Sequence, residues 1–384
     1  MATRLKGGTG GTIELPGTRE RALTCSGLYG ANASGKTTVF RALQFMVKAV
    51  KDSHRLWEPN GGVPLETFKG SRAEETSRFV LDFLLAGVRY QYGFSATRIQ
   101  VDEEWLFSYP NGRKQTLLHR QGPSAVVFGR NLPGENKTIA GLMRPNSLFL
   151  SAAAQNNHEF LRPLYDWFTK SFHFVIGDRQ TILGRTAKMC AAEPDRLAIA
   201  QLLSIADLGI VDVQHRSRPS FPINMFDGRP RGTDHLIQLI HQLAGSQVAL
   251  EFEDESNGTL AFVGLIGPIV ETLRMGGMLI LDELDASLHP LIAAHIIGMF
   301  HSDETNPKSA QLIFNTHDTN LLAKGILRRD QIWFTEKDRM GESHLYPLTD
   351  FKPREEENLR SGYLQGRYGA IPFVNSEEIL SGSH

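Results

Sequence analysis

One short segment constrains this 384-residue chain more than any other. Residues 30–37 read Gly-Ala-Asn-Ala-Ser-Gly-Lys-Thr and match the pattern G-x-x-x-x-G-K-[ST]. An apolar, strand-like stretch from Ala22 to Tyr29 precedes the segment, and a helix-like stretch from Thr37 to Val50 follows it. Glycines allow backbone N–H groups to close around a phosphate, and a helix N-terminus adds partial positive charge. The segment therefore predicts a strand–loop–helix unit that binds nucleotide phosphates.

Two side chains in this loop have roles that the pattern itself specifies. Lys36 is expected to reach the β- and γ-phosphates of ATP, and the hydroxyl of Thr37 is expected to bind Mg²⁺. ATP and Mg²⁺ are therefore the predicted cofactors. The predicted nucleotide contacts of the loop are Gly30, Ala31, Asn32, Ala33, Ser34, Gly35, Lys36, Thr37 and Thr38.

A second segment, far downstream, ends in two acidic residues. The apolar run from Gly277 to Leu281 is followed by Asp282 and Glu283. This is typical of a buried parallel strand that delivers carboxylates at its C-terminal end, where ligands of open α/β sheets bind. Asp282 is therefore predicted to hold Mg²⁺ through water, and Glu283 to take a proton from the attacking water. The alternative is a core strand that ends in solvated acids.

Two further segments resemble motifs of ABC-type ATPases. Leu284 to Pro290 reads Leu-Asp-Ala-Ser-Leu-His-Pro and is similar to their D-loop, which implies a nucleotide contact for Asp285. Ala310 to Asp318 is interpreted as another buried strand, and its His317 is similar to the switch histidine that contacts the γ-phosphate. A histidine at a strand end is more often structural, but the order and spacing of the motifs favour the switch role.

The signature motif of such an ATPase is expected just before the acidic strand. Asp254 to Thr259 reads Asp-Glu-Ser-Asn-Gly-Thr and precedes an apolar, helix-like stretch. A serine and a glycine at a helix start present a hydroxyl and free N–H groups to an anion. The alternative is an ordinary helix cap without a ligand. The segment resembles the E-S-x-G-T variant of defence-associated and OLD-like ABC ATPases. This resemblance implies that Ser256, Gly258 and Thr259 cap the ATP of the partner in a head-to-tail homodimer.

A candidate for the Q-loop glutamine lies between these motifs. Asn146 to Gln155 is interpreted as a strand that ends in glutamine. In the motif order of ABC ATPases, Gln155 contacts Mg²⁺ and the attacking water, and it is therefore predicted as a catalytic and metal-binding residue. Glutamine also ends many strands without any catalytic role, and this alternative stays open.

The order of these motifs resembles that of an ABC ATPase head. The phrases YGANASGKTT, LFLSAAAQNN, ADLGIVDV, DESNGT, LDELDASLHP and FNTHDTNLL, with the closing SGYLQGRYGAIPFV, are similar to RloA/AbiL-type AAA ATPases of prokaryotic abortive infection and anti-phage defence. PARIS AriA, Septu PtuA and the OLD nucleases resemble related branches. The resemblance implies an ATPase that controls a separate effector, such as a nuclease or an RloB-like partner. It also implies a phage-derived trigger or nucleic acid as a further ligand.

The fold class implied by the resemblance is α/β. It is an ABC-ATPase-like P-loop NTPase head with a mixed central sheet, a flanking antiparallel β-subdomain and a helical insertion. We expect one head over residues 1–384. Its expected parts are a P-loop core (1–60), an antiparallel β insertion (61–145), a Q-loop and mostly helical insertion (146–247), a core with the signature, acidic strand, D-loop and switch histidine (248–345) and a C-terminal tail (346–384).

Local patterns predict further strands in this framework. Alternating apolar residues predict hairpins over Phe79 to Phe94 and Glu103 to His119, with a short strand over Val126 to Phe128. Ahead of the phosphate loop, strands are predicted over Thr12 to Leu15 and Ala22 to Tyr29. Heads of this type usually begin with one strand more than these two.

Composition agrees with a soluble ATPase of the cytoplasm. The 41 basic and 42 acidic residues balance, so the net charge does not argue for nucleic-acid binding. Cys25 and Cys190 lie far apart, without metal-type spacing, and so few cysteines suit a reducing compartment. No apolar run reaches the roughly 18–20 residues that span a bilayer, and the N-terminus lacks a signal-peptide core. We therefore expect no membrane association.

Two other functions stay open at this point. The first is an SMC- or OLD-like ATPase that binds DNA ends and processes nucleic acid directly, although no sustained heptad run indicates its coiled coil. The second is a scaffold that binds ATP and barely hydrolyses it, against which Glu283 argues. The basic clusters at residues 216–218 and 229–231 fit either a solvated loop or a contact with nucleic acid or protein. No TOPRIM-type carboxylate cluster follows His317, so any toxic activity is expected in a separate protein.

Overall fold

The computed structural model describes residues 2–3, 10–15, 20–68, 75–123, 125–177, 179–205, 209–219, 233–243, 245–251, 254–286 and 288–371. In chain order its strands are β1 (Ala2–Thr3), β2 (Thr12–Glu14), β3 (Arg21–Leu23), β4 (Cys25–Tyr29), β5 (Ser77–Leu85), β6 (Val88–Ala96), β7 (Val101–Tyr109), β8 (Gln115–Gln121), β9 (Ala125–Phe128), β10 (Phe172–Val175), β11 (Ile210–Pro219), β12 (Thr233–Leu243), β13 (Ser246–Leu250), β14 (Met278–Leu281), β15 (Gln311–Asn315), β16 (Ile332–Lys337) and β17 (Ser343–Pro347). Its helices are α1 (Lys36–Asp52), α2 (Asn136–Gly141), α3 (Phe149–Gln155), α4 (Arg162–Lys170), α5 (Arg179–Met189), α6 (Glu193–Ile205), α7 (Asn257–Met275), α8 (Pro290–His301) and α9 (Leu359–Leu364).

A six-stranded sheet forms the centre of the fold, in the order β10-β14-β15-β4-β16-β17. The first five strands are parallel, and β17 returns antiparallel to β16 as a hairpin. The mixed central sheet that we predicted is therefore confirmed. Because neighbouring parallel strands end at the same side, the C-terminal ends of β4, β14 and β15 lie at one edge of the sheet.

Helices cover both faces of this sheet, as its continuous apolar strands require. On one face, Phe40 of α1 packs with Leu28 and Ile280. On the other face, Leu279 and Leu281 join a large core to which α5, α6, α7 and α8 contribute. Helix α7 has the length and hydropathy of a membrane span, but most of it is buried inside the protein. Such burial is what a core helix of this composition requires.

A five-stranded antiparallel sheet, in the order β5-β6-β7-β8-β9, flanks the phosphate-loop helix. Its strands pair in the hairpins that alternating apolar residues predicted. Tyr92, Phe94 and Leu106 point into a second hydrophobic core, which the sheet shares with α1, α3 and α4. The predicted antiparallel subdomain is confirmed, and it forms one wall around α1.

The segment between the two halves of the core is less helical than predicted. Residues 158–243 contain α4, α5 and α6, but also β10 and two strands of the antiparallel sheet β11-β12-β13. Val213 pairs with Leu239 across β11 and β12, and both are buried in the core that includes Ile199 and Leu203 of α6. Helices α4, α5 and α6 agree with the predicted helical insertion, and the structure adds strands β11 and β12 to it, because cross-strand pairing and burial against α6 favour strands there.

The basic clusters of this segment are only partly described. Arg216 lies on β11 with an exposed side chain, and its guanidinium lies 3.9 Å from a carboxylate oxygen of Glu251. Residues 229–231 lie outside the described residues. An exposed pair of this kind contributes little to stability, and the choice between a solvated face and a contact surface stays a prediction.

The strands ahead of the phosphate loop form a small separate sheet in the order β1-β3-β2. Strand β2 lies within the predicted strand from Thr12 to Leu15. The single strand predicted from Ala22 to Tyr29 is instead divided between β3, which belongs to this small sheet, and β4 of the central sheet. Strand β1 adds a third strand that pairs antiparallel with β3. The backbone N–H of Thr24 donates to the Gly11 carbonyl oxygen at 3.0 Å, which ties this sheet to the start of β4.

Candidate functional site

The predicted phosphate loop joins the end of β4 to the start of α1. Gly35 adopts φ +109°, a left-handed conformation that favours glycine. A Cβ atom at Gly35 would lie 2.4 Å from the hydroxyl oxygen of Ser343. The hydroxyl groups of Ser34 and Thr335 are hydrogen-bonded at 2.6 Å. The β16–β17 hairpin therefore packs directly against the loop. The other predicted contacts on the loop and the first turn of α1 are Gly30, Ala31, Asn32, Ala33, Lys36, Thr37 and Thr38.

Lys36 is the buried cation of this loop. Its Nζ donates to the carbonyl oxygens of Gly30 at 2.7 Å and Ala31 at 3.0 Å. Burial lowers the pKa of Lys36, and three acidic residues that follow β14 oppose this shift. Charged phosphate oxygens are stronger acceptors for an ammonium group than neutral carbonyls. The lysine is therefore placed where a phosphate group can replace its present partners.

Thr37 and Asp282 meet although 245 positions separate them in the chain. The Thr37 hydroxyl donates to Asp282 Oδ1 at 3.0 Å and Oδ2 at 3.2 Å. Hydroxyl and carboxylate oxygens are ligands that Mg²⁺ accepts, and the ion usually takes its other ligands from water and phosphate. The pair therefore has the chemistry of the predicted Mg²⁺ site.

Glu283 follows Asp282 in an unusual backbone conformation. Its φ is +57°, in the left-handed region that residues other than glycine seldom adopt. Its side chain is exposed at the same sheet edge. Both acids line a small cavity together with Gly177 and Leu260. An exposed carboxylate beside the Thr37–Asp282 pair is suited to accept a proton from water.

One residue of the site was not predicted from the sequence, the buried Asn315 at the end of β15. Its Nδ2 donates to Asp282 Oδ1, and its Oδ1 accepts from the backbone N–H of Glu283 at 2.5 Å. Its carbonyl oxygen accepts from the N–H of Leu284 at 3.0 Å. Its position in the sequence could have indicated this role, because Asn315 lies two residues before His317, at the end of a strand that was predicted to reach the site.

Asp285 and His317, from the two motifs similar to the D-loop and the switch segment, also meet at this edge. The backbone N–H of His317 donates to both carboxylate oxygens of Asp285 at 3.2 Å. Burial lowers the pKa of His317 and the nearby Lys36 lowers it further, whereas Asp285 and Glu283 act in the opposite direction. The imidazole is therefore mainly neutral near pH 7 and lies within electrostatic range of the loop lysine.

The signature segment lies at the N-terminus of α7. Ser256 caps this helix, since its Oγ accepts from Thr259 N at 3.1 Å and lies 2.9 Å from Thr259 Oγ1. Gly258 is the second residue of the helix. Glu255, directly before the cap, is hydrogen-bonded to His241 of β12 at 2.6 Å. The helix start agrees with the prediction, and the action of the three residues on a partner's nucleotide stays a prediction.

Gln155 lies away from these residues. The predicted strand is wrong, because residues 149–155 form α3, whose first N–H groups are bound by a buried carboxylate of β7. Gln155 hydrogen-bonds Tyr165, whose hydroxyl donates to the Lys51 carbonyl oxygen near the C-terminal end of α1. Thr37 lies at the other end of α1, about 20 Å away at 1.5 Å per residue. The structure therefore does not bring Gln155 to the site.

Strand β10 reaches the site in place of the Gln155 segment. It pairs parallel with β14, and the N–H of Asp282 donates to the Val175 carbonyl oxygen at 2.9 Å. The chain that follows β10 turns at Gly177 (φ +82°), which lines the cavity beside both acids. Strand β10 is only four residues long, which made its sequence signal weak.

The chain is similar to one protein family and to several solved structures. A family model described as "AAA domain, putative AbiEii toxin, Type IV TA system" matches residues 25–323. Among solved structures, the chain is similar to an SMC head domain from Thermotoga maritima, with 13% identity and a TM-score of 0.41 over 88% of this chain and 95% of that chain. It is also similar to an Smc head domain from Pyrococcus furiosus, bound there to the C-terminal domain of ScpA, with 12% identity and a TM-score of 0.38 at the same coverage. A search of curated proteins found no match.

Proposed function

The chain belongs to the family described as "AAA domain, putative AbiEii toxin, Type IV TA system", and we propose that it is an ABC-type ATPase that binds and hydrolyses ATP. One observation carries the proposal. Lys36 and Thr37 of the phosphate loop meet Asp282 and Glu283 at the C-terminal edge of a parallel sheet. This edge is where α/β proteins bind their ligands. The loop supports binding, and the adjacent acids support hydrolysis.

Each residue of the site has its own task in the proposed reaction. Lys36 exchanges its carbonyl partners for phosphate oxygens, while N–H groups of the loop surround the β-phosphate. Thr37 and Asp282 hold Mg²⁺, which when bound neutralises charge on the phosphates. Glu283 accepts a proton from the attacking water. Neutral His317 donates a hydrogen bond toward the γ-phosphate, where negative charge is held during hydrolysis.

In this proposal Gln155 does not orient the attacking water. It lies near the far end of α1, and a glutamine can act on the water only from within hydrogen-bond reach. The chain that follows β10, by contrast, reaches the sheet edge beside Asp282.

A second copy of the chain completes the proposed site. Ser256, Gly258 and Thr259 begin α7, where a helix N-terminus and a capping hydroxyl favour an anion. We place them against the γ-phosphate of ATP bound by the partner subunit. ATP then holds two copies together, and hydrolysis releases them, so the output of the cycle is a change in dimer geometry.

The proposed output is control of a separate effector protein in the cytoplasm, within abortive-infection or anti-phage defence. The toxin and toxin–antitoxin terms of the family description support this setting. The effector of the proposal is a nuclease or an RloB-like protein encoded nearby, and the trigger is a phage-derived molecule or nucleic acid.

Glu283→Gln tests hydrolysis and dimer formation together. It removes the proton acceptor but keeps the Thr37–Asp282 pair, so ATP binding persists while hydrolysis falls about 10²–10⁴-fold. The variant accumulates as an ATP-bound dimer, measured by light scattering alongside phosphate release. Lys36→Ala, which removes the phosphate partner, loses both ATP binding and the dimer.

The matched control for this experiment is Glu304→Gln, which changes an exposed glutamate in the loop after α8. It should hydrolyse ATP and dimerise like the wild type. Turnover of Glu283→Gln within about threefold of the wild type would remove Glu283 from the role of proton acceptor, since a positioned base contributes far more than that.

A further inference from the structure

We propose that Asn315 is the positioning residue that holds Asp282 and Glu283 in their working arrangement. This inference rests on the proposed ATPase function and adds to it a residue that no sequence motif marks. Asn315 acts through the two acids, so its own contact with nucleotide or water is not required.

The first support is the number and direction of its hydrogen bonds. The side-chain amide donates to Asp282, its carbonyl oxygen accepts from the N–H of Glu283, and the main-chain carbonyl accepts from Leu284. These contacts fall on three consecutive residues of the turn after β14. Asn315 is 1% exposed, so water cannot take over a bond that is lost.

The second support is the conformation of the turn. Glu283 has φ +57°, and a non-glycine residue stays in this region only when its surroundings over-determine it. Asn315 supplies two of the bonds that do so, one to the N–H of Glu283 and one to the N–H of the next residue. Loss of the side-chain acceptor allows the turn to relax and moves the carboxylate of Glu283 away from its place.

The third support is the choice of side chain. Asp282 lies between the Thr37 hydroxyl and the Asn315 amide, which both donate to its carboxylate. Asparagine offers a donor and an acceptor on one rigid amide. Aspartate would set a like charge against Asp282, and serine is too short to reach both partners. An amide is thus the group that can donate to the charged acid and accept from the N–H at the same time.

The test compares two buried asparagines near opposite ends of the same strand. Asn315→Ala is expected to lower kcat about 10–100-fold, the range for residues that orient catalytic groups, with ATP affinity in the absence of Mg²⁺ unchanged. Asn306→Ala is the control, because Asn306 is buried and makes three hydrogen bonds to Phe300 and Ala310 ahead of β15. It should lower thermal stability but leave kcat unchanged. If Asn315→Ala does not fold, Asn315→Ser against Asn306→Ser makes the same comparison.

A double variant separates positioning from general destabilisation. If Asn315 acts through the two acids, then Asn315→Ala causes a smaller further loss in a Glu283→Gln background than in the wild type, because one of the two groups that it positions is already gone. A full multiplicative loss in the double variant, or an equal loss in Asn306→Ala, would overturn the inference. If Glu283→Gln itself turns over like the wild type, the proposed function fails along with it. If Glu283→Gln loses turnover but Asn315→Ala keeps the kcat of the wild type, the proposed function stands and this inference alone fails.

Discussion

Glu283 combines a side chain placed for chemistry with a backbone in a disfavoured conformation. Its carboxylate is exposed at the sheet edge beside Asp282, and its φ is +57°. This region is unfavourable for L-residues with a Cβ atom, because Cβ comes too close to the following carbonyl oxygen. The acid therefore occupies a position that glycine would fill with less strain, which is typical of residues kept for function.

This strain predicts a difference between two variants that both lack the carboxylate. The free energy of unfolding should be roughly 0.5–1 kcal/mol higher for Glu283→Gly than for Glu283→Ala. Glycine relieves about 1–2 kcal/mol of backbone strain in the folded state, and this gain is partly offset by the larger entropy of glycine in the unfolded chain. Both variants should lose hydrolysis. Denaturant unfolding of the two proteins measures the difference. An alanine variant at least as stable as the glycine variant would show that residue 283 is not left-handed in solution.

Helix α3 depends on a buried carboxylate of the neighbouring antiparallel sheet. Glu104 of β7 accepts from the N–H groups of Phe149 at 2.6 Å and Leu150 at 3.1 Å. Arg120 of β8 lies 3.8 Å from the same carboxylate, and both side chains are inaccessible to solvent. A carboxylate at a helix N-terminus satisfies N–H groups that the helix itself leaves unbonded. This contact favours a helix in an apolar run that resembles a strand.

Removal of this carboxylate should therefore destabilise the whole element. Glu104→Ala is expected to lower the free energy of unfolding by about 3–5 kcal/mol, because it leaves Arg120 buried without its ion-pair partner. The adjacent Glu103 is a matched control, since it pairs with His119 at a partly exposed site, and Glu103→Ala should cost about 0–1 kcal/mol. Urea unfolding of both variants gives the comparison. Equal losses would mean that the Glu104 network does not hold α3.

The complete site draws on segments from most of the chain. The phosphate loop, the turn after β14, the end of β15 and the β16–β17 hairpin converge on one edge of the central sheet. Among the described residues, one group of acids and histidine could hold an ion elsewhere, namely Asp338, Glu342 and His344. There the Asp338 carboxylate already accepts from backbone N–H groups of its own turn and from His344. The proposed ATPase function therefore rests on the edge of the central sheet.

We accordingly expect the purified protein to leave DNA and RNA intact, with or without ATP and Mg²⁺. Co-expression with the product of a neighbouring gene should yield a complex and a toxic or protective phenotype that needs both proteins. Lys36→Ala should disturb that phenotype without unfolding the protein, because in the proposal Lys36 binds the phosphates of ATP and it does not belong to the hydrophobic core. Gel assays of nucleic-acid cleavage and a plasmid-based phage challenge make these measurements. Metal-dependent cleavage by the isolated chain, lost on changing acids outside the ATP site, would contradict the division of labour.

Local patterns in the chain were enough to predict the parts of this protein whose physical causes are local. The loop before α1 requires glycine at position 35 and a lysine at the helix start, and both stand in one short run. The apolar strand before Asp282 and the hairpins of the antiparallel sheet follow from contiguous apolar runs and from alternation. The helix cap at Ser256 likewise depends on residues three positions apart.

Other features depend on which strands become neighbours, and these could not be predicted from local patterns. Gln155 lost its predicted place because α3 packs beside the far end of α1, whereas β10 pairs with β14 and brings another part of the chain to Asp282. Asn315 joined the site because β15 lies directly beside β14. The strands β11 and β12 formed because their side chains are buried against α6. Burial and hydrogen bonds between residues far apart in the chain set these outcomes, and no local pattern contains that pairing.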